Sequence, residues 1–166
     1  MHIRFQNGII SAAHRPGLSP CCRSLLSLFV SLLFLCFTIG GQQKVPSLYE
    51  RIGRYDTISL VADEYLKGIR ADPQFARFSG RGADSLRRAR QLLKDQLCAL
   101  TGGPCTYIGR DMKTAHAGLG IGPDEWAANM RYMAAALDKA KIAGQDKQEF
   151  LAIVDALRPQ IVEKAK

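Results

Sequence analysis

The chain has 166 residues, 47% hydrophobic and 23% charged, with 23 Lys and Arg against 15 Asp and Glu. That length fits one domain, and the mix is that of a globular protein rather than a disordered one. Three of the basic residues and none of the acids fall in residues 1–43, so residues 44–166 carry +5, too mild a surplus to imply nucleic acid as a partner.

Residues 1–43 contain Arg4, Arg15 and Arg23 and then an apolar run from Leu25 to Ile39. A basic segment followed by a run of this length is the pattern of an export signal. The run is shorter than the roughly 20 residues that cross a membrane comfortably. Cleavage near Gly40 or Gly41 would release a soluble domain into the bacterial periplasm. The alternative is an uncleaved anchor through residues 25–39, the only membrane association expected. A lipoprotein signal at Cys36 is disfavoured, because Leu35 stands where a small residue is needed.

Beyond the leader the chain reads as helices. Ile58, Val61, Ala62, Tyr65, Leu66 and Ile69 recur at helical spacing, with Asp56 as the expected N-cap. Ala71-Asp72-Pro73 ends this helix, since a residue before proline avoids helical angles. A second stripe runs through Leu86, Ala89, Leu93, Leu97 and Leu100 to Gly102-Gly103-Pro104. Arg87, Arg88 and Arg90 on it form a basic cluster, either a solvated face or a contact for a phosphate or carboxylate.

Cys98 and Cys105 are the two cysteines outside the leader. In one continuous helix they would lie about 10 Å apart, beyond the roughly 7 Å that a disulfide spans. The glycine-proline break lets the chain fold back, so a disulfide and two buried thiols both stay open. A closed zinc site lacks ligands.

Residues 101–121 are glycine-rich yet apolar, as in an ordered loop that shapes a pocket. A short helical piece there ends at His116, the single histidine outside residues 1–43. Taken alone, His116 reads as a surface or core histidine. A Cys-His or Ser-His-Asp arrangement has no motif to orient it. A third helix starts at Gly122-Pro123-Asp124-Glu125, with proline and acids suited to a first turn, and buries Trp126, Met130, Met133 and Leu137. A last helix carries Phe150, Leu151, Val154, Leu157 and Ile161. No segment alternates as a strand does, so the fold class is all-α. Haem needs only one neutral imidazole on one face of its iron and a wide apolar cleft, which such a domain can supply.

Three blocks carry a more specific likeness. They are Leu48-Tyr49-Glu50-Arg51-Ile52-Gly53, then Ala71-Asp72-Pro73 through Phe78, then Thr101-Gly102-Gly103-Pro104 with Tyr107, Gly109-Arg110-Asp111-Met112-Lys113, Ala115-His116 and Gly118-Leu119-Gly120-Ile121. Together they make residues 47–163 resemble the truncated haemoglobins of the first group. The resemblance implies a two-over-two helical sandwich around haem b, with His116 as the iron ligand through one ring nitrogen. Its other nitrogen would donate to an acceptor one turn back, such as the Met112 carbonyl. Met112, Ile121, Trp126 and Met133 fall on positions that line the haem, although each also reads as ordinary core. Phe78 is the candidate for the phenylalanine on the haem face. Arg110 or Lys113 would pair with a propionate or stay solvated.

For the other haem face, the likeness puts Leu66 where many relatives carry tyrosine. Ala89, Leu93 and Leu97 face it, and Gln96 sits one residue off their stripe. Rotating the first helix by one position brings in Tyr65 instead. The implied function is reversible binding of O2, NO or CO, as carrier, scavenger or sensor. The alternative is an NO dioxygenase or peroxidase-like enzyme served by a ferric reductase. The expected apolar pocket weighs against that, because such chemistry uses polar groups to stabilise charge. A third reading is a helical interaction module without haem, and no further catalytic residue is expected.

Overall fold

The computed structural model describes residues 44–78 and 82–163. The leader expected at 1–43 lies outside the described residues. The chain divides between Lys44 and Val45 into two units, and every described helix belongs to the second.

Its first turn is set by a capping box. The Ser47 hydroxyl accepts from the Glu50 N–H, and the Glu50 carboxylate accepts from the Ser47 N–H at 2.8 Å, so helix α1 (Leu48–Arg51) starts with two donors satisfied. Gly53 then reverses the chain at φ +102°, a left-handed turn that disfavours side chains. Helix α2 (Arg54–Ala71) begins directly after it. Asp56 is therefore not the N-cap the sequence suggests. It sits in the first turn, where its carboxylate still meets the positive end of the helix dipole.

Asp72 ends α2 and accepts from the Gln74 N–H at 2.8 Å, which opens a 3-10 turn over Pro73–Phe78. Helix α3 (Ala83–Leu100) comes next. Thr101 closes it by donating its hydroxyl to the Leu97 carbonyl at 2.8 Å, and the Thr101 carbonyl accepts from the Tyr49 N–H at 2.8 Å. Then come α4 (Met112–His116), α5 (Pro123–Lys139), α6 (Gly144–Asp155) and α7 (Arg158–Ile161). The single last helix expected from the sequence is thus two. Pro159 lacks an N–H and sits in the first turn of α7, so the chain restarts there rather than continuing.

Helix α2 packs on α3 and on α5, α5 packs on α6, and α4 packs on α7. This is the two-over-two sandwich, with no strand among the described residues. Its core joins Ile58, Val61 and Ala62 of α2 to Leu97 of α3, Leu137 of α5 and Phe150 of α6. Ion pairs tie the helices at the surface. Arg51 meets Asp146 and Glu149, and Asp63 on α2 meets Arg90 and the buried Lys94 on α3. Among the described residues no helix is long and apolar enough to cross a membrane.

Cys98 and Cys105 form a disulfide with Cα atoms 5.8 Å apart, which settles the choice the sequence left open. The turn through Gly102 and Gly103 makes it possible, with the Gly103 N–H donating to the Cys98 carbonyl at 2.8 Å. The closed loop is short, so loop-closure entropy assigns the bond about 2–3 kcal/mol. The double variant Cys98→Ser with Cys105→Ser is expected to unfold at correspondingly lower denaturant. An unchanged midpoint in urea would show that the bond does not stabilise the domain.

Candidate functional site

Between the helices lies a cavity of about 940 Å³. Helix α2 contributes Tyr65, Leu66 and Ile69, and the 3-10 turn contributes Phe75 and Phe78. Helix α3 adds Leu86, Ala89, Leu93, Gln96, Leu97 and Leu100. Met112, Ala115 and His116 come from α4, Leu119 and Ile121 from the loop after it, and Trp126, Asn129 and Met133 from α5. The α6 and α7 region closes it with Val154, Leu157 and Ile161. Residues far apart in sequence meet here. All ten residues that the sequence singles out for the pocket (His116, Phe78, Leu66, Ala89, Leu93, Leu97, Met112, Ile121, Trp126 and Met133) line this one cavity.

His116 is half-buried at the end of α4. Its Nδ1 lies 2.8 Å from the Met112 carbonyl oxygen. A carbonyl only accepts, so this contact places a ring proton on Nδ1, and the neutral ring then carries its lone pair on Nε2. The short helix that positions it is itself capped. Asp111 accepts from the Thr114 N–H at 2.9 Å, and hydrogen bonds from Thr114 hold its carboxyl below the ordinary range. After His116 the chain turns away through Gly118 and Gly120, at φ +75° and +64°. Those angles suit glycine. The Gly118 N–H donates to Glu163 at 2.6 Å, which anchors the turn to the chain after α7.

One polar clamp beside the cavity is not foreshadowed by any sequence pattern. The Arg77 guanidinium pairs with both oxygens of Glu125, a buried carboxylate at the start of α5. It also donates to the Leu119 and Gly120 carbonyls, each at 3.3 Å, and its carbon lies 4.2 Å from the centre of the Phe78 ring. The hydrogen bonds from Arg77 hold the Glu125 carboxyl below its usual value. The clamp joins the 3-10 turn to the loop after His116. Trp126 adds another tie, donating its indole N–H to Asp155 at 2.8 Å.

The choice between Tyr65 and Leu66 across the cavity has an unexpected outcome. Both line the cavity, since neighbouring helix positions can both border a space this wide. The Tyr65 hydroxyl donates to Asn129 Oδ1, and burial pushes the Tyr65 phenol up to about 12. With Tyr65, Asn129 and Gln96 on the wall, the pocket is less apolar than expected. Asn129 lies three residues after Trp126 and four before Met133, so helical spacing alone marks it. Phe75, buried and edge-on to Tyr132 with ring centres 6.2 Å apart, precedes Phe78 by one 3-10 turn, the spacing at which side chains align.

The basic cluster divides. Arg87 pairs with Asp84 and Arg90 with Asp63, both at the cavity rim, while Arg88 is exposed and off the wall. Arg110 and Lys113 are also exposed and off the wall. No group of three or more metal-ligating side chains occurs among the described residues.

A helical sandwich of this topology around a single-histidine cavity defines a truncated globin. The chain belongs to the bacterial-like globin family, whose profile matches residues 47–163. It is 28% identical over 115 residues to a group 1 truncated hemoglobin of Mycolicibacterium paratuberculosis, covering 69% of this chain and 83% of that protein. A group 1 truncated hemoglobin of Tetrahymena thermophila is 24% identical over 122 residues, covering 74% and 99%. Among solved structures, the hemoglobin of Chloroflexus aurantiacus superposes with a TM-score of 0.63 at 27% identity, covering 72% of this chain and all of that one. The Fe(III) truncated hemoglobin of Tetrahymena pyriformis gives 0.65 at 22% identity over the same shares, which bears on the fold alone.

Proposed function

We propose that this chain is a haem b protein of the first truncated-haemoglobin group that reversibly binds a diatomic gas, O2, NO or CO, with His116 as the iron ligand. The observation that carries this reading is the His116 contact to the Met112 carbonyl. A carbonyl acceptor at Nδ1 supports a ring that offers Nε2 to a metal, in a cavity otherwise walled largely by apolar side chains, a donor set that fits haem. When bound, haem would supply the affinity for the gas. The chain's own residues do the rest. Met112, Ile121, Trp126 and Met133 exclude water, Phe78 and Phe75 offer aromatic surface, and Tyr65, Asn129 and Gln96 provide hydrogen-bonding capacity. The test is a haemin titration of the full chain followed by reduction and CO. A one-to-one endpoint with a sharp Soret band is expected, and a chain that takes up no haem would overturn the reading.

The polar trio favours a second reading, an NO- or peroxide-consuming enzyme supplied with electrons by a reductase. Sustained NO consumption in the presence of O2 and a reductant would select it over a simple binder. We further propose that residues 1–43 export the domain or anchor it through residues 25–39. The Cys98–Cys105 disulfide supports an oxidising compartment, and sequencing the mature N-terminus tests cleavage.

A further inference from the structure

We infer that Asn129 is the residue that donates a hydrogen bond to the gas held in the cavity, and that Tyr65 is the positioning residue that aims it. This rests on the haem reading above and names the polar group that sets ligand preference at that site.

The atoms already engaged decide the assignment. Tyr65 and Asn129 lie on α2 and α5, two helices that pack together, and both side chains reach the cavity. The Tyr65 hydroxyl has one proton, and that proton goes to Asn129 Oδ1. Burial holds it on the phenol, whose value is pushed up to about 12. Tyr65 therefore has no proton left for a ligand in this arrangement.

An amide whose oxygen accepts from Tyr65 turns its NH2 the other way. No described residue accepts from that nitrogen. Among the described residues no fully buried side-chain nitrogen or oxygen lacks a partner, so the Asn129 nitrogen is reached from open space, and Asn129 borders the cavity. It thus offers two N–H donors on a side chain whose rotation the Tyr65 bond already restrains.

Gln96 is the competing amide donor. It too lies on the wall, but no described residue hydrogen-bonds its side chain. A longer, untethered side chain loses more freedom when it engages a ligand. Pre-organisation therefore favours Asn129.

The experiment uses the full chain loaded with haem and reduced. It reads the C–O stretching frequency after CO is added, together with the O2 release rate. Asn129→Leu is expected to raise the stretching frequency and speed O2 release about tenfold, the effect of one ordinary hydrogen bond. Asn129→Asp keeps an acceptor for Tyr65 and removes the donors, so it should also speed release and provides the reading if the leucine variant folds poorly. Tyr65→Phe should broaden the CO band and change release less, while Gln96→Leu should change release by well under the tenfold expected of Asn129→Leu.

Unchanged frequency and release in haem-loaded Asn129→Leu and Asn129→Asp would overturn the inference alone. So would a full tenfold effect in Gln96→Leu. A wild-type chain that takes up no haem would overturn the haem reading and this inference with it.

Discussion

Replacing His116 with glycine is expected to weaken haem retention by more than about a hundredfold and to leave the helical content of the haem-free protein unchanged. The magnitude has a floor. Removing a group that only orients a metal-binding histidine typically lowers metal affinity by about 10–100-fold, and this substitution removes the proposed ligand itself. The fold should be indifferent, because His116 is half-buried at the end of a five-residue helix and lies outside both hydrophobic clusters. Transfer of haemin to an excess of an apo-globin acceptor measures the loss. Added imidazole can occupy the vacated space and is expected to restore part of the retention in the glycine variant. A mutant that loses haemin at the wild-type rate would remove His116 from the iron. It would then direct attention to Tyr65, Asn129 and Gln96 on the cavity lining.

How much of this is legible in the sequence depends on which force sets each feature. Helix periodicity and proline placement reveal four helical stretches, because a buried stripe at helical spacing is written locally. The short α1 and the 3-10 turn show only as blocks resembling a family, since four to six residues carry too little periodicity to stand out. Asp56 mimics a cap because an aspartate before an apolar stripe suits that place, while a left-handed Gly53 leaves no local hydrophobic trace. The break before α7 is written in Pro159 but masked, because the apolar spacing continues through it. All ten expected cavity residues line one cavity, and His116 finds its acceptor one turn back. The Arg77–Glu125 clamp is invisible, because 48 residues separate its partners and a charged pair has no period. Asn129 is hidden by its polarity, although its position on the stripe is plain.

Trp126 is where cavity and fold depend on the same side chain, and its loss is the largest stability change expected from one wall residue. The ring is 5% exposed and packs with Met112 and Ile161, so it joins α5 to α4 and α7, while its N–H reaches Asp155 at the end of α6. Truncating a buried tryptophan to alanine removes apolar burial and leaves a void, typically costing about 3–5 kcal/mol. Trp126 also borders the cavity, so the lower end of that range, about 3 kcal/mol, is expected for Trp126→Ala in the haem-free protein. Against a typical total of about 5–15 kcal/mol, that lowers the urea midpoint markedly. Trp126→Phe separates the two contributions. It keeps most of the aromatic surface and removes only the bond to Asp155, so about 1 kcal/mol is expected. Asp155 is exposed and water takes the place of the indole. Haem adds a further discriminant, because a ligand that binds only the folded state stabilises it in proportion to occupancy. If Trp126 supports the cavity, Trp126→Ala should gain less from added haem than wild type. An equal gain in both would make the tryptophan a core residue that borders the cavity without shaping it.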